Sequence, residues 1–270
     1  MKKISIIGCG TIGSEIAMAI DRNEINLHLV CLCDVEKKKA VDLRSRLKNI
    51  TPNISDTVGE AVSHCDLVFE ATHVGAIKEI AGECFKIKKD LFVMSVGGLV
   101  IYPEVLEKIK SAGRKVFFPA GAIAGLDGIS ALKLSGIESI TLKSTKPLKS
   151  LINSPGLDQF LKSTNKKIED IHQAETIFDG SVKEAVPLFP QNVNVSAALA
   201  LTGAGPEKTR VTVVADPLIN KNIHEVMCIS KAGTAYTKTE NVPHPRNPKT
   251  SYLAILSAIS RLKELAEDYR

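Results

Sequence analysis

The amino-acid sequence predicts an α/β chain whose first 120 residues form a parallel sheet covered by helices on both faces. Up to residue 120, short and almost wholly apolar runs alternate with longer helical patterns, which is typical of strand–helix–strand units. After Pro119 the strands alternate between apolar and polar residues, which predicts a second, α+β domain with an open, mostly β sheet over residues 121–247. A length of 270 residues is sufficient for two such domains. A last helical pattern within residues 248–270 is expected to pack back on the first domain.

Five apolar runs are predicted to be the strands of the first domain. They are ISII (4–7), LHLVCLC (27–33), DLVFE (66–70), LFVMS (91–95) and KVFFP (115–119). Between the first two runs, Ile12, Ile16 and Ile20 recur at helical spacing, and similar patterns separate the later runs. Repeated strand–helix–strand units of this kind favour right-handed crossovers in a parallel sheet.

The second domain is predicted to begin at a glycine-rich connection, GAIAGLDG (121–128). Its predicted strands are ESITLKSTK (138–146), TRVTVVAD (209–216), EVMCISKA (225–232) and TAYTKTENV (234–242). Helical patterns cover residues 181–188 and 192–202. The segment PHPRNP (243–248) is interpreted as a proline-punctuated break, and an amphipathic helix is expected from about Thr250 to Asp268.

Composition excludes several classes of protein. The net charge of +5 is spread over 35 basic and 30 acidic residues, and aromatic residues make up 4% with no Trp, so a nucleic-acid surface is not predicted. No apolar run reaches the roughly 18 residues of a membrane span, and no signal peptide is recognisable. Six cysteines occur without a CxxC pair or a Cys/His cluster, so neither a metal site nor a disulfide framework is expected. The predicted location is the cytoplasm.

The stretch ISIIGCGTIGSEIA has the pattern of a dinucleotide-binding turn. Gly8, Gly10 and Gly13 form a G-x-G-x-x-G between a predicted strand and a predicted helix. In a Rossmann domain the first glycine allows a tight turn, the second lets a pyrophosphate approach the backbone, and the third lets helix and strand pack closely. The helix start also offers N–H groups to phosphates. We therefore expect Gly8, Gly10, Thr11, Ile12 and Gly13 to contact a cofactor, whereas a glycine turn without a ligand is disfavoured by this context.

Asp34 follows the second predicted strand, 21 residues after Gly13. A carboxylate at this place accepts hydrogen bonds from an adenosine ribose and repels a 2′-phosphate, which favours NAD. Lys37, Lys38 and Lys39 follow closely and would partly offset that repulsion, so NADP stays an alternative. Two further turns, EATHV (70–74) and SVGG (95–98), follow strands at the same sheet edge and are expected to border the cofactor.

Four later stretches carry a resemblance to a known family. They are GAIAGLDG (121–128), FPQNVNVSAALAL (189–201), ADPLINKNIHEV (215–226) and NPKTSYLAILS (247–257). With these stretches the chain resembles the L-aspartate dehydrogenase family over essentially its full length. The resemblance implies a two-domain homodimer that oxidises L-aspartate with NAD(P) to iminoaspartate, and then to oxaloacetate and ammonia. It also implies that some members supply iminoaspartate for NAD biosynthesis.

The resemblance implies three site residues. The family's catalytic histidine corresponds to His224, its cofactor-contacting alanine to Ala122, and its cofactor-contacting asparagine to Asn194. Family members commonly have SGAIGG where this chain has AGAIAG, so that Ala120 and Ala124 replace a serine and a glycine. The loop that carries Ala122 is therefore expected to differ slightly in position.

The chemistry of amine oxidation is consistent with a histidine. An amine must lose a proton and a water must later attack the imine, and both proton transfers favour a group with a pKa near neutrality. His224 is placed by the pattern in a connection between two strands, whereas pattern alone, without the resemblance, favours His73 beside the turn EATHV.

A dicarboxylate substrate requires cationic or N–H partners. Lys249, Thr250 and Ser251 are predicted where a loop enters the last helix, and Asn192 lies at the start of another helix. All four are candidate substrate contacts. Lys249 is an alternative base if burial lowers its pKa, and Thr250 or Ser251 is alternatively an N-cap residue.

Two other functions stay open at the level of the sequence. One is a related two-domain dehydrogenase that acts on a different amino acid or on homoserine. The other is a dinucleotide sensor without catalysis, which the first domain alone would permit.

Overall fold

A computed structural model describes residues 1–190 and 193–267. The chain divides into two compact units. The first comprises Met1–Pro119 together with the segment from Ile255 onwards, and the second comprises Ala120–Ala254. Within the described residues no helix is both long enough and apolar enough to cross a membrane.

The first unit contains a six-stranded parallel sheet in the order β3-β2-β1-β4-β5-β6. Its strands are β1 (Lys3–Ile7), β2 (His28–Cys33), β3 (Asn53–Ser55), β4 (Leu67–Glu70), β5 (Asp90–Val93) and β6 (Val116–Phe117). Its helices are α1 (Thr11–Asp21), α2 (Lys37–Arg46), α3 (Val58–Ser63), α4 (Ile77–Lys86), α5 (Gly97–Ile101) and α6 (Glu104–Ser111). The predicted α/β fold is confirmed for this unit. Strand β3 was not predicted, because its three residues include a single apolar side chain.

The strand order reverses between β1 and β4, and this reversal determines where a ligand can bind. Successive crossovers run outward from β1 in opposite directions, which opens a crevice at the carboxyl ends of the central strands. The glycine turn after β1 lies at this point in the sheet.

The second unit contains a five-stranded mixed sheet in the order β11-β10-β7-β9-β8, in which only β7 and β9 are parallel. Its elements in chain order are α7 (Leu126–Lys133), β7 (Ile137–Pro147), α8 (Pro155–Thr164), β8 (Glu175–Ser181), α9 (Val182–Leu188), α10 (Asn194–Thr202), β9 (Thr209–Asp216), β10 (Asn222–Ser230) and β11 (Gly233–Asn241). The predicted α+β architecture with a mostly β sheet is confirmed. Helices α7 and α8 and strand β8 were not predicted.

One face of this sheet is buried and apolar along most of its length. Alternate residues of β7, β9 and β10 point to this face. They include Ile140, Leu142, Val211, Val213, Val226 and Cys228, each at most 4% exposed. Toward one end of the same face the residues become polar, and the candidate site is located there.

The predicted break at residues 243–248 is wrong. The chain forms a two-stranded antiparallel ladder from β12 (Pro243–His244) and β13 (Asn247–Ser251). Pro243 is compatible with pairing because it is the first residue of its strand. The buried ring of His244 packs edge-on against Tyr252, with 5.3 Å between ring centroids.

The last helix, α11 (Tyr252–Glu267), begins two residues later than predicted because Thr250 and Ser251 belong to β13. Ala258, Leu262 and Leu265 are buried in the core of the first unit beside Ile4 and Ile16. This packing follows from the spacing of apolar residues along α11, which places them on one face.

Candidate active site

The glycine turn after β1 has the geometry that a pyrophosphate requires. Gly8 has a φ of +97°, a conformation that side chains disfavour. A Cβ at Gly13 would collide with the carbonyl oxygen of Gly8, so only glycine allows α1 to approach β1 this closely. A Cβ at Gly10 would meet nothing within 4 Å. The space beside Gly10 is therefore open, and the start of α1 at Thr11 and Ile12 borders it.

Asp34 is fixed to this turn. Its carboxylate accepts hydrogen bonds from the backbone N–H of Cys9 at 2.7 Å and of Glu36 at 2.9 Å. A carboxylate can accept about four hydrogen bonds, so Asp34 keeps acceptor capacity for a ribose. Lys37 and Lys39 form ion pairs with Asp56 and Glu36, at 2.7 and 2.6 Å. These ion pairs are exposed and therefore weak, so the two lysines do not decide between NAD and NADP.

Glu70 joins the two neighbouring turns at this sheet edge. The side chain is fully buried at the end of β4. It accepts hydrogen bonds from the N–H and hydroxyl of Thr72 at 2.6 and 2.7 Å, and from Met94 N, Ser95 N and Ser95 Oγ at 2.8–3.1 Å. Glu70 therefore determines the shape of the turns after β4 and β5. His73, the choice from pattern alone, is exposed in the first of them.

The second unit contains a cluster of polar side chains around His224, the residue that the resemblance identified as catalytic. His224 is 2% exposed and is the third residue of β10, so its predicted position in a connection is wrong. The β pairing begins earlier than expected because Asn222 and Ile223 already belong to the strand. Nδ1 of His224 lies 3.1 Å from the hydroxyl of Ser144, its cross-strand neighbour on β7. Within the described residues Nε2 has no hydrogen-bond partner, which leaves that atom for proton transfer.

Glu225 points to the opposite face of the sheet, as alternation predicts. Its carboxylate accepts a hydrogen bond from the hydroxyl of Tyr236 at 2.8 Å and lies 3.8 Å from the ammonium of Lys143. Glu225 therefore does not orient the imidazole of His224.

Ala122 is connected to the strand beside His224. The Ala122 carbonyl accepts hydrogen bonds from Thr239 Oγ1 at 2.7 Å and from Asn241 Nδ2 at 2.9 Å. Thr239 is the cross-strand neighbour of His224 on β11. The turn that carries Ala122 therefore lies at the same end of the sheet as His224.

The start of α10 lies next to this turn. A Cβ at Gly121 would be in contact with Val195 at 3.7 Å, and Asn194 is the first residue of α10. The three residues that the resemblance singled out thus lie at one end of the second unit.

The predicted substrate contacts have different outcomes. Ser251 belongs to the cluster because its hydroxyl accepts a hydrogen bond from Asn222 Nδ2 at 3.1 Å. Thr250 and Lys249 are in strand β13 and not in a loop that enters a helix, since the ladder with β12 continues to Ser251. Asn192 lies outside the described residues.

Lys146 is a site residue that the sequence did not predict. It is 6% exposed and lies on β7, two residues after Ser144 and so on the same face. It continues the buried series Ile140, Leu142 and Ser144. The sequence does contain a signal for the burial of Lys146, because this lysine continues the alternation of inward-facing residues along β7.

Burial changes the protonation of this cluster. It lowers the pKa of His224 to about 3, and the nearby charge of Lys146 adds to the effect. Burial also lowers the pKa of Lys146 to about 8. At neutral pH the imidazole is thus uncharged, while the ammonium is largely protonated and attracts anions.

The low pKa of Lys146 should make its own contribution to stability increase with alkalinity. Between about pH 8 and pH 10.5 the unfolded chain binds more protons at this lysine than the folded chain. Relative to Lys146→Met, the free energy of unfolding of the wild type should therefore rise with pH across that window, by on the order of 3 kcal/mol. The raised pKa values of the buried cysteines act in the opposite direction in both proteins and cancel in this difference. Urea denaturation of both proteins at a series of pH values measures the rise, and Lys143→Met, on the opposite face, should behave as the wild type.

The lowered pKa of His224 should make the free energy of unfolding depend on pH in the acid range as well. Its contribution to stability is fully present above pH 6.5 and is lost as pH falls toward about 3, because the unfolded imidazole is protonated first. The difference between the wild type and His224→Asn in the same denaturation series reports this loss, because the carboxylates with lowered pKa values are common to both proteins.

No cluster of three or more His, Cys, Asp or Glu side chains suited to a metal ion occurs among residues 1–190 and 193–267.

Two family models match the chain. The model described as "Homoserine dehydrogenase, NAD binding domain" matches residues 8–119. The model described as "Aspartate dehydrogenase, C-terminal" matches residues 127–265, which is more than half of the chain. The first match covers the glycine turn and Asp34, and the second covers His224 and Lys146.

Similar proteins agree with these matches. The L-aspartate dehydrogenase of Nitrosopumilus maritimus is 40% identical over 99% of this chain and 98% of its own length. That of Methanosarcina acetivorans is 38% identical over 98% and 97% of the two chains. The crystal structure of aspartate dehydrogenase from Thermotoga maritima aligns with a TM-score of 0.72 and 26% identity, over 98% of this chain and 97% of the other. With matches of this length and identity, the chain belongs to the L-aspartate dehydrogenase family.

Proposed function

We propose that this protein oxidises L-aspartate with NAD to iminoaspartate, which water converts to oxaloacetate and ammonia, and that the reaction is reversible. The observation that carries the proposal is a buried imidazole near a buried ammonium, in a chain that also has a dinucleotide turn; among the described residues, neither Nε2 of the imidazole nor the ammonium has a hydrogen-bond partner. The same activity is named for its relatives.

The residues of the first unit fit the cofactor. We assign the pyrophosphate to the turn of Gly8, Gly10, Thr11, Ile12 and Gly13, since the space beside Gly10 is open. Asp34 would accept hydrogen bonds from the ribose, which favours NAD over NADP. When bound, NAD supplies the acceptor for the hydride that leaves the substrate Cα.

The residues of the second unit would move protons and bind the substrate. His224, held by Ser144 at Nδ1, would use Nε2 to take a proton from the substrate amine, release it to solvent, and then take a proton from the attacking water. Ala122 and Asn194 are proposed to contact the cofactor. Ser251 and Thr250 are proposed as substrate contacts, together with Lys249 and Asn192.

Three broader properties are proposed as well. The six cysteines are buried and free, which suits a reducing compartment such as the cytoplasm. The family resemblance favours a homodimer and a supply of iminoaspartate to NAD biosynthesis. We propose no nucleic-acid partner, since cationic and acidic residues are nearly balanced.

A substrate panel tests the proposal. The purified chain is incubated with NAD or NADP and with L-aspartate, L-glutamate, L-alanine or L-homoserine, and the nicotinamide absorbance is recorded. We expect fast reduction with aspartate and NAD, slower reduction with aspartate and NADP, and little with the other substrates. Preference for homoserine would identify a different dehydrogenase. Binding of NADH without reduction by any substrate would identify a sensor.

A further inference from the structure

Among the described residues of the second unit, no acidic side chain pairs with the ammonium of Lys146. The buried acids of the described chain are Asp21, Glu70 and Asp90, all in the first unit. Within residues 1–190 and 193–267, Lys146 forms no hydrogen bond and no ion pair. A buried charge without a partner strongly destabilises a fold. An ammonium without a partner among the described residues is therefore able to pair with an anion from outside the chain.

The surroundings of Lys146 are uncharged on every neighbouring strand. On β9 its neighbours are Val213 and Ala215, and the inward residues of β11 are Thr239 and Asn241. On β10 the titratable inward residue is His224, which lies diagonally across from Lys146. Diagonal positions of paired strands are within reach of a long side chain. An anion on Lys146 would therefore lie next to the imidazole.

We propose that Lys146 binds a carboxylate group of the substrate and thereby positions the substrate amine at His224. This inference rests on the proposed function, because it takes the anion to be the substrate of the same site. A dicarboxylate such as aspartate fits a site that combines one buried cation with hydroxyl and amide groups.

The same contact would activate His224. In the protein without substrate, the charge of Lys146 helps to keep the imidazole neutral and a weak proton acceptor. A carboxylate that pairs with Lys146 cancels this field, so the imidazole accepts a proton more readily. The imidazole of His224 would therefore accept a proton more readily when a substrate carboxylate is bound to Lys146.

The test uses succinate, which carries both carboxylates of aspartate and no amine. The full chain is titrated with succinate in a calorimeter, in the presence of NAD. The wild type is expected to bind succinate, and Lys146→Met is expected to bind it about a hundredfold more weakly. Lys146→Arg, which keeps the charge, should retain most of the affinity. In aspartate oxidation, Lys146→Met should raise the KM by a similar factor.

Lys143→Met is the matched control, because Lys143 lies on the same strand with its side chain 57% exposed and paired with Glu225. It should leave succinate binding unchanged. Thermal unfolding provides a second readout: Lys146→Met should raise the Tm, since methionine removes an unpaired buried charge. Wild-type succinate affinity in Lys146→Met, or a lower Tm than the wild type, would overturn the assignment. A wild type that binds succinate but does not oxidise aspartate would instead contradict the proposed function.

Discussion

Replacement of His224 by asparagine should lower the kcat for aspartate oxidation by about 10²- to 10⁴-fold, the usual contribution of a positioned acid–base group. If Nε2 is the proton acceptor, Nδ1–H donates to Ser144 Oγ; the Nδ2 amide of asparagine can donate that hydrogen bond in its place, but asparagine has no atom where Nε2 lies. The variant thus keeps the polar end of the sheet and loses the proton acceptor. Steady-state kinetics with saturating NAD and aspartate measure the loss.

The loss should be confined to turnover. The affinity for NADH, followed by the fluorescence of the nicotinamide, should equal that of the wild type, because the glycine turn is unchanged. Glu225→Gln is the matched control, since Glu225 is the next residue and points to the opposite face. It should keep the wild-type kcat. An unchanged kcat in His224→Asn would remove His224 from the mechanism.

The dinucleotide-binding half could be predicted because its requirements are local. Gly8, Gly10 and Gly13 are needed within one turn, and Asp34 follows at a spacing set by one helix and one strand. Each of these constraints can be recognised from the amino-acid sequence alone, because it involves residues that are near one another in the chain. Gly8 and Gly10 follow β1, Gly13 lies in the first turn of α1, and Asp34 follows β2, where its carboxylate accepts a hydrogen bond from Cys9 N within the glycine turn.

The cluster around His224 depends on pairing between distant strands and was therefore harder to predict. Ser144 and His224 are 80 residues apart in the chain and meet only through the register of β7 and β10. Lys146 was not singled out, because lysines are rarely buried. Pattern alone favoured His73, which is exposed, and the family resemblance was needed to choose His224.

The rule that proline interrupts secondary structure gave a wrong prediction for residues 243–248. PHPRNP was interpreted as a break because it contains three prolines. Proline is nevertheless tolerated at the first residue of a strand, and Pro243 occupies this position in β12. A loop was therefore predicted for Lys249, Thr250 and Ser251, although these residues belong to β13. The resulting ladder leads to Ser251, whose hydroxyl accepts a hydrogen bond from Asn222, two residues before His224.

Two alanine substitutions in the glycine turn should separate folding from cofactor binding. Gly13→Ala should lower the free energy of unfolding by about 3 kcal/mol or more, because its Cβ collides with the backbone of Gly8 and neither strand nor helix can yield easily. Gly10→Ala should leave stability within about 1 kcal/mol of the wild type, since its Cβ meets no atom of the chain and only a helix-capping glycine is lost. Urea denaturation without cofactor compares the two variants.

Cofactor affinity should distinguish Gly10 from an ordinary exposed glycine. A methyl group in the space beside Gly10 would obstruct the pyrophosphate at a cost of about 1–3 kcal/mol, equivalent to roughly five- to 150-fold weaker NADH binding. Gly82→Ala in α4 is the matched control: its Cβ also meets nothing within 4 Å, and alanine favours the helix, so affinity should not change. If Gly10→Ala bound NADH as tightly as Gly82→Ala, the pyrophosphate would not approach this turn, and the cofactor would have to be assigned to another edge of the sheet.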